Sequence, residues 1–362
     1  MYSRRWTLSS GELVITRPKT HGDVLLGLWK SAADGRLPHA LLFSGPSGVG
    51  KFLSAGWFAA GLLCARGPGE PCLTCGPCKR VRSGSHPDLF VVDAAACGQD
   101  QLTIAFITPR EKRSSTDYDG PCITDFLSLQ AMEGGWRVVV VREVERMNEQ
   151  AQNAFLKTLE EPGVQTVLIL ECSRPASLLA TLRSRLVQVG FGPLPVEEAR
   201  AILEEAGLEP DDARDLARWC SGAPGRALEL ASRRALEMRG LVLGVAAGEL
   251  SAPAAAAALW ELEGEYPGKT ASAQRRTRAE VFLDVGLELW RDQERLAVGV
   301  PAGELPHGAV IADLALPGQA RRARRLEAWF SARQDVGLNL TAEGLIDRAL
   351  AATTPSRGVP TP

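Results

Sequence analysis

The sequence predicts an α/β fold in which a doubly wound parallel sheet is followed by helical domains. Short apolar runs alternate with helical patterns in the first half, which indicates strands that are buried on both faces. These runs are HALLFS (39–44), DLFVVD (88–93), RVVVVR (137–142), TVLILE (166–171) and LVQVGF (186–191). After Pro193 the strand-like runs stop and helical patterns continue to about residue 352, so the second half is predicted to be all-α.

Two helical patterns lie between the predicted strands. The segment KFLSAGWFAAGLLC (51–64) directly follows the first strand and a glycine-rich turn. The segment NEQAQNAFLKTLEE has Asn148 as its N-cap and ends at Pro162-Gly163. Its apolar residues fall on one face, at Ala151, Ala154, Phe155 and Leu159. Both helices are therefore predicted to pack on the sheet.

The same patterns predict the domain organisation. The sheet-containing core is expected at 1–192. The patterns VEEARAILEEAG, PDDARDLARWCSG and GRALELASRRALE predict a three-helix domain at 193–248. Longer helical patterns with a Gly/Pro-rich connection predict a second helical domain at 249–352, and a disordered tail is expected at 353–362.

The overall charge excludes some classes of protein. The formal net charge is −2, with 41 basic and 43 acidic side chains, so any contact with nucleic acid must be local. The N-terminal stretch shows no apolar region before a small-residue cleavage site, and no segment approaches about 18 uninterrupted apolar residues. We therefore expect a cytoplasmic protein with no membrane association.

The stretch GPSGVGKF differs by one residue from a phosphate-binding loop, whose pattern G-x-x-x-x-G-K ends in Ser or Thr. In such a loop the backbone N–H groups face an anion at the start of the next helix, and the lysine contacts the outer phosphates. The candidate nucleotide-binding residues are Gly45, Gly48, Gly50 and Lys51. A glycine-rich turn that only packs a helix on the sheet is the alternative.

The pattern lacks both residues that would hold Mg²⁺. Phe52 replaces the Ser or Thr whose hydroxyl binds the metal, and Arg142 follows VVVV where an acidic residue is expected. A guanidinium there would repel a divalent ion by several kcal/mol at an effective dielectric of about 20. Glu143 is either a residue that orients a water or a solvated carboxylate. We expect ATP binding to be weak or absent, with no Mg²⁺ site.

Four of the eight cysteines form the pattern C-x7-C-x2-C-x2-C, at Cys64, Cys72, Cys75 and Cys78. Tight C-x2-C turns bring thiolates to a common centre, and tetrahedral Zn²⁺ is the expected occupant. An iron–sulfur cluster and free or redox-active thiols are the alternatives. Because no open ligand position is evident, the predicted zinc is structural, in a module at 64–78 within the core.

A series of motifs extends over residues 36–350. They are HALLFSGPSGVGK, the four-cysteine module, SGSHPDLF, MNEQAQNAFLKTLEEP, LLATLRSR, SGAPGRAL and VGLNLTAEGLIDRAL. NAFLKTLEEP joined to LRSR is the most specific combination. With these motifs the sequence resembles the AAA+ clamp-loader family, most closely the delta-prime (δ′) branch of bacterial DNA polymerase III. The resemblance implies a P-loop NTPase-like core, a lid domain at 193–248 and a collar domain at 249–352.

The resemblance also implies a role for Arg185. This residue occupies the place of the arginine in the family's Ser-Arg-Cys motif, although Leu186 replaces the cysteine. In such assemblies the arginine reaches the ATP of a neighbouring subunit, where a guanidinium stabilises the charge that develops during hydrolysis. A surface arginine that caps the preceding segment is the alternative.

The lid motif departs from that of the family's motor subunits. Those subunits resemble G-x-x-R at the start of the last lid helix, and Gly225 stands at the arginine position here. Arg226 lies about 100° further around a helix and is expected to face elsewhere. Together with Phe52 and Arg142, Gly225 predicts that hydrolysis has been lost.

The resulting hypothesis is a non-hydrolysing stator subunit of a replicative clamp loader, which supplies Arg185 in trans and helps to load the sliding clamp onto primed DNA. The implied partners are the γ/τ and δ subunits, with clamp and primer-template DNA contacted through the complex. An ATP-hydrolysing γ/τ-type motor subunit is the alternative, and a zinc-stabilised nucleic-acid-binding module is a weaker one. The arginine runs at 275–278 and 321–325 are interpreted as solvated helix faces, with phosphate contacts as the alternative.

Overall fold

The computed structural model describes residues 15–109, 118–133, 135–160, 163–268, 270–338 and 340–355. The chain divides into two compact units, Met1–Leu194 and Pro195–Pro362. The boundary lies two residues from the predicted end of the core. The further division into lid and collar stays a prediction.

The first unit contains a five-stranded sheet in which every pair of neighbours is parallel. The strands are β1 (Ala40–Ser44), β2 (Leu89–Val92), β3 (Arg137–Val141), β4 (Thr166–Cys172) and β5 (Val187–Gly190). Their order in the sheet is β2-β3-β4-β1-β5. All five predicted strands are present within two residues of their expected bounds, which confirms the α/β fold class.

Strands β1 to β4 are buried on both faces, whereas the edge strand β5 is largely exposed. One face of the sheet contributes Leu42, Val139 and Leu168 to a core that also contains Phe106 and Phe155. Each fully buried aliphatic or aromatic side chain of this kind contributes roughly 1.5–3 kcal/mol to stability. The near-continuous apolar runs in the sequence follow from this two-sided burial.

Six helices accompany the sheet in the described part of the first unit. They are α1 (Gly22–Ala33), α2 (Lys51–Leu62), α3 (Gly76–Arg82), α4 (Ile123–Ser128), α5 (Glu149–Glu160) and α6 (Ala180–Arg183). The N-terminus of α5 is as predicted, because Asn148 Oδ1 accepts a hydrogen bond from the Ala151 N–H at 2.9 Å. Pro162, the predicted stop signal, lies outside the described residues.

The described residues of the second unit are helical and contain no strand. Its helices are α7 (Val196–Glu205), α8 (Pro210–Trp219), α9 (Pro224–Ser232), α10 (Ala235–Ala247), α11 (Ala252–Glu261), α12 (Ala271–Ala297), α13 (Gly308–Ile311), α14 (Gln319–Asp335) and α15 (Ala342–Thr353). The predicted single helix GRALELASRRALE is two helices, because Arg234 adopts a left-handed φ of 59° between α9 and α10.

Helix α12 is the centre of the second unit and packs against α10, α14 and α15. A Cβ on Gly286 of α12 would lie 2.0 Å from the Trp329 ring of α14, so glycine allows the two helices to approach. Trp329 is fully buried, and its indole N–H donates to Thr353 Oγ1 at 2.9 Å. Thr353 is therefore part of the fold, and residues 356–362 of the predicted tail lie outside the described residues.

Two other sequence expectations concern the segment 95–122 and membrane-spanning helices. Of the segment 95–122, residues 110–117 lie outside the described residues, while Leu102, Phe106 and Ile107 are buried in the core. None of the described helices is long and apolar enough to span a membrane.

Candidate functional site

The carboxyl ends of the parallel strands meet at one edge of the sheet, where ligands bind in open α/β folds. The residues that directly follow or end these strands come from four different segments. Gly45 follows β1, Asp93 follows β2, Arg142 follows β3 and Ser173 follows β4. The candidate nucleotide pocket is built at this edge.

The glycine-rich loop between β1 and α2 has the backbone that the sequence predicts. A Cβ on Gly45 would lie 1.9 Å from the carbonyl oxygen of Phe191, so no larger residue fits there. Gly48 and Gly50 have φ values of 81° and 92°, a region that favours glycine. Lys51 is the first residue of α2, as expected for a lysine that follows a phosphate-binding loop.

The Lys51 side chain is fully buried and has protein partners. Its ammonium donates to the Pro46 carbonyl at 2.7 Å and to Ser173 Oγ at 3.0 Å, and it lies 3.7 Å from Glu171 Oε1. Burial raises the pKa of Glu171, and the charges of Lys51 and Arg142 partly oppose this rise. The charge that would contact phosphate is therefore balanced within the chain.

Arg142 and Phe52, which replace the two expected metal ligands, contact one another. The Arg142 guanidinium lies 4.8 Å from the centroid of the Phe52 ring, a cation–π geometry. The same guanidinium donates to Asp93 Oδ2 at 2.9 Å and lies 3.9 Å from Glu171 Oε2. Burial alone lowers the pKa of Arg142, but the carboxylates of Asp93 and Glu171 raise it above its usual value. A fixed cation therefore occupies the metal side of the pocket.

Sequence reasoning missed Asp93, Glu171 and Ser173. Each ends or follows a predicted strand, and that position is the signal that identifies them as residues of this edge. Glu143 has a left-handed φ of 48°, and its carboxylate pairs with Arg146 at 2.7 Å. Glu145 instead accepts a hydrogen bond from the Ser173 N–H at 2.9 Å and so connects the ends of β3 and β4.

The four predicted metal ligands come together in the structure. The Sγ atoms of Cys64, Cys72, Cys75 and Cys78 all lie within 4.8 Å of one another. Four thiolates about 2.3 Å from a tetrahedral zinc are about 3.8 Å apart, so the donor set fits this metal after a small contraction. Cys64 follows α2 and Cys78 lies in α3, and both are buried.

Local hydrogen bonds prepare this cluster for a cation. The N–H of Cys75 donates to Cys72 Sγ, and the N–H of Cys78 donates to Cys75 Sγ, both at 3.4 Å. The side-chain hydrogen bond from Thr74 is the main cause that lowers the pKa of Cys72 to about 5. Burial raises the pKa of Cys78, so one buried thiol favours its neutral form unless a positive charge is near.

Arg185 lies at the opposite end of the sheet from the glycine-rich loop. Strands β1 and β5 are parallel, with Leu41 paired to Val187 and Ser44 paired to Gly190. Because the loop follows Ser44 and Arg185 precedes Val187, about 10 Å or more of strand separates them. Arg185 is thus remote from the pocket of its own chain.

The Arg185 side chain is held at the surface. Its guanidinium donates to the Thr181 carbonyl at 2.9 Å and to Glu160 Oε1 at 3.0 Å, and 40% of the side chain is exposed. An exposed ion pair of this kind contributes at most about 1 kcal/mol, so another anion can readily replace Glu160.

In the second unit, the residue next to Gly225 has a structural partner. Arg226 donates to Glu288 of α12, and the Trp219 indole donates to the same carboxylate. His307 Nε2 lies 3.9 Å from Glu288 Oε2. Burial alone raises the pKa of Glu288, but the nearby His307 side chain, the hydrogen bond from Trp219 and the charge of Arg226 lower it to about 2. Arg226 therefore stabilises helix packing.

Comparison with known proteins agrees with the family resemblance of the sequence motifs. The model of the family described as "DNA polymerase III, delta subunit" matches residues 21–195. The DNA polymerase III subunit delta′ of Bacillus subtilis is 32% identical over 203 residues, which cover 56% of this chain and 56% of that protein. These matches support a δ′-like member of the clamp-loader family.

This δ′-like chain is also similar to other clamp-loader proteins. The DNA polymerase III subunit tau of Salmonella typhimurium is 32% identical over 226 residues, which cover 60% of this chain and 31% of that protein. The crystal structure of a DNA polymerase III gamma subunit-related protein from Thermotoga maritima covers 91% of this chain and 98% of that structure, with 15% identity and a TM-score of 0.46. The chain spans little more than half the length of its Bacillus subtilis relative.

Proposed function

We propose that the chain is a non-hydrolysing, δ′-type subunit of a DNA polymerase III clamp loader. The contact between Arg142 and Phe52 carries this proposal. A phenyl ring offers no oxygen to a metal, and a guanidinium held by Asp93 and Glu171 opposes Mg²⁺ by several kcal/mol at an effective dielectric of about 20. Without the metal, the charge that develops during phosphoryl transfer is not neutralised.

Nucleotide binding without turnover remains compatible with this pocket. The loop glycines keep the backbone that faces a phosphate, but Lys51 must exchange its contacts with Pro46, Ser173 and Glu171 to reach one. That exchange costs part of the binding energy, so ATP affinity is expected to be low.

The contribution of this subunit is Arg185, donated to the ATP of an adjacent subunit. Its position at the far end of the sheet and its weak pairing with Glu160 support this role, because a side chain remote from its own pocket is available to a neighbouring subunit. A guanidinium on the γ-phosphate accelerates hydrolysis by about 10³ or more at the site that it reaches.

We expect Arg185→Ala to lower the ATPase rate of a complex reconstituted with the γ/τ-type and δ subunits of the same organism. The loss should be severalfold overall, because the other ATP sites of the complex remain intact. Arg183→Ala is the matched control, since Arg183 is an exposed arginine two residues away whose guanidinium donates to the Pro175 carbonyl. Size-exclusion chromatography checks that both complexes assemble.

The isolated chain is expected to show no Mg²⁺-dependent ATP hydrolysis. Similarity to the tau subunit favours a second candidate, an ATP-hydrolysing γ/τ-type motor subunit. Appreciable turnover by the isolated chain would establish that second candidate. Equal ATPase rates for the Arg185→Ala and Arg183→Ala complexes would remove the arginine finger but leave the stator role in place.

The cysteine cluster is proposed to hold one structural Zn²⁺. Cys64, Cys72, Cys75 and Cys78 would be the ligands, and the metal would join α3 to the end of α2. Metal analysis should find about one zinc per purified chain, and Cys72→Ser should lose it while Cys97→Ser, outside the cluster, keeps it. Removal by a chelator should lower the unfolding midpoint, because binding energy at such sites is folding energy. Iron in place of zinc would contradict this assignment.

A further inference from the structure

The start of α14 in the second unit does not form the solvated arginine face that the sequence indicates. In the run 321–325, Arg324 is exposed, but Arg325 has only 5% of its surface accessible. The correction follows from tertiary packing, because Arg325 lies over the Trp290 ring of α12 with its guanidinium carbon 3.7 Å from the ring centroid.

Within the described part of the chain, Arg325 is a buried cation without a paired carboxylate. It donates to the neutral amide oxygen of Gln293, and its buried Nε has no hydrogen-bond partner. Among the residues that the structure describes, no carboxylate forms an ion pair with it. Glu294, the nearby acidic residue, instead accepts from Arg322 Nε at 2.8 Å. Burial and the charge of Arg321 lower the pKa of Arg325 to about 10, so it is still charged at neutral pH.

The position in the helix increases this excess of positive charge. Four arginines lie within the first seven residues of α14, and its first turn contains no acidic residue. Cations are unfavourable at a helix N-terminus, where free N–H groups and the helix dipole attract anions. These four arginines therefore lie near the end of α14 that attracts anions.

A cavity of about 140 Å³ lies beside this charge. Its polar lining comes from Gln293, Arg321, Arg325 and Thr353, and Leu316 and Pro317 add apolar surface. The volume is well below the roughly 300–1,000 Å³ of pockets for drug-sized ligands, so it suits a single small group. Arginine side chains match the geometry of tetrahedral oxyanions through paired N–H donors.

We propose that this cavity, lined by Arg321 and Arg325 and here named the arginine cavity, binds one phosphoryl group. The anion compensates the buried Arg325 guanidinium. The group is a free orthophosphate or a phosphate of nucleic acid, since both present the same oxygens.

The test is titration of the full chain with orthophosphate at constant ionic strength, followed by calorimetry and thermal unfolding. The wild type should bind about one phosphate per chain with a saturable rise in Tm, as expected for a ligand that binds only the folded state. Arg325→Gln should weaken binding at least tenfold. Arg324→Gln, which removes the same charge from an exposed position of the same helix, should bind like the wild type.

Arg321→Gln provides a second variant if Arg325→Gln does not fold. Arg321 is only half-buried, and its replacement should weaken phosphate binding severalfold while circular dichroism shows a folded protein. A Tm rise that does not saturate, or one that is the same in wild type and both cavity variants, overturns the proposal.

A 12-nucleotide single-stranded DNA distinguishes the two sources of the group. If DNA binding also weakens in Arg325→Gln but not in Arg324→Gln, the phosphoryl group belongs to nucleic acid. If only orthophosphate binding responds, the ligand is free phosphate. If neither responds to Arg325→Gln, the arginine cavity is not a phosphoryl site.

Discussion

Lys51 and Arg325 are two buried cations whose partners differ. Lys51 in the first unit has a carboxylate at 3.7 Å and two hydrogen-bond acceptors, so its charge is balanced from within. Arg325 in the second unit has an aromatic ring and a neutral amide but no paired carboxylate among the described residues. A buried charge is costly unless it is paired.

The comparison separates the backbone motif of a loop from the balance of charge around it. The glycine-rich loop has the shape of a nucleotide site, but Glu171 and Asp93 supply the negative charge that phosphate would bring to Lys51 and Arg142. The arginine cavity has no recognisable motif, but among the described residues no carboxylate pairs with Arg325. We therefore expect the first pocket to be stable without a ligand and the second to gain stability from an anion.

The largest expected effect comes from rebuilding the metal side of the pocket. The double variant Phe52→Thr/Arg142→Asp supplies a hydroxyl and a carboxylate for Mg²⁺ and removes the opposing cation. Mg²⁺ should then tighten ATP binding about a hundredfold, or about 2.7 kcal/mol, whereas it should leave the affinity of the wild type unchanged. Titration with a fluorescent ATP analogue, with and without Mg²⁺, measures this difference.

Phe52→Leu/Arg142→Lys is the control for the rebuilt pocket, because it changes both residues but supplies no metal ligand. Its ATP affinity should not respond to Mg²⁺. A wild-type chain that binds ATP much more tightly with Mg²⁺ would contradict the proposed loss of the metal site. The metal would then have ligands that the pocket is proposed to lack.

A somewhat smaller effect is expected from Glu171→Gln, which turns Lys51 into an unbalanced cation like Arg325. The free energy of unfolding should fall by about 2 kcal/mol, because one carboxylate serves both Lys51 and Arg142 in a buried setting. Binding of orthophosphate at the glycine-rich loop should rise severalfold. Urea unfolding at pH 7 and phosphate titration measure the two changes.

Glu149→Gln, an exposed carboxylate at the start of α5, serves as the control for Glu171→Gln. It should change stability by no more than about 0.5 kcal/mol, as is usual for surface substitutions. Equal losses in the two variants would mean that Glu171 does not balance the buried cations.

The smallest effect concerns Glu288, a half-buried anion that is paired within the second unit. Its pKa is lowered from 4.5 to about 2, so its contribution to stability is complete above about pH 4.5 and is lost as the pH falls toward 2. Glu288→Gln should cost about 1.5 kcal/mol at pH 7, and the difference from the wild type should shrink between about pH 4.5 and pH 3. Chemical unfolding across this pH range measures it.

Glu327→Gln, which removes an exposed carboxylate of α14, is the matched control for Glu288→Gln. It should show little difference from the wild type at any pH between 3 and 7. A Glu288→Gln difference that persists unchanged at pH 3 would contradict the pairing of Glu288 with Arg226 and Trp219.

Much of the fold could be predicted because it depends on local patterns. The apolar runs identify all five strands, since two-sided burial requires nearly every residue of a parallel strand to be apolar. Asn148 marks the start of α5 because an N-cap is a local chemical requirement. Arg234 was missed because its left-handed backbone leaves no signal in a run of good helix formers.

The candidate pocket could be predicted only in part for the same reason. The motif of the glycine-rich loop lies within one short stretch of sequence, so it can be recognised directly. Its residues are Gly45, Gly48, Gly50 and Lys51. Asp93 and Glu171 are brought to Arg142 by the order of strands in the sheet. That order depends on packing between distant segments, which no short pattern contains.

The sequence by itself determined the α/β core, the glycine-rich loop, the presence of Phe52 and Arg142 where metal ligands are expected, and the spacing of the four cysteines. These features follow from residue type and local spacing, where a hydroxyl is either present or absent. Only the tertiary structure decided which charges are balanced. Phe52 contacts Arg142, Glu171 lies near Lys51 and, among the described residues, Arg325 has no carboxylate partner. These arrangements arise because strands and helices far apart in the chain pack together. Burial increases the effect of each pairing on stability.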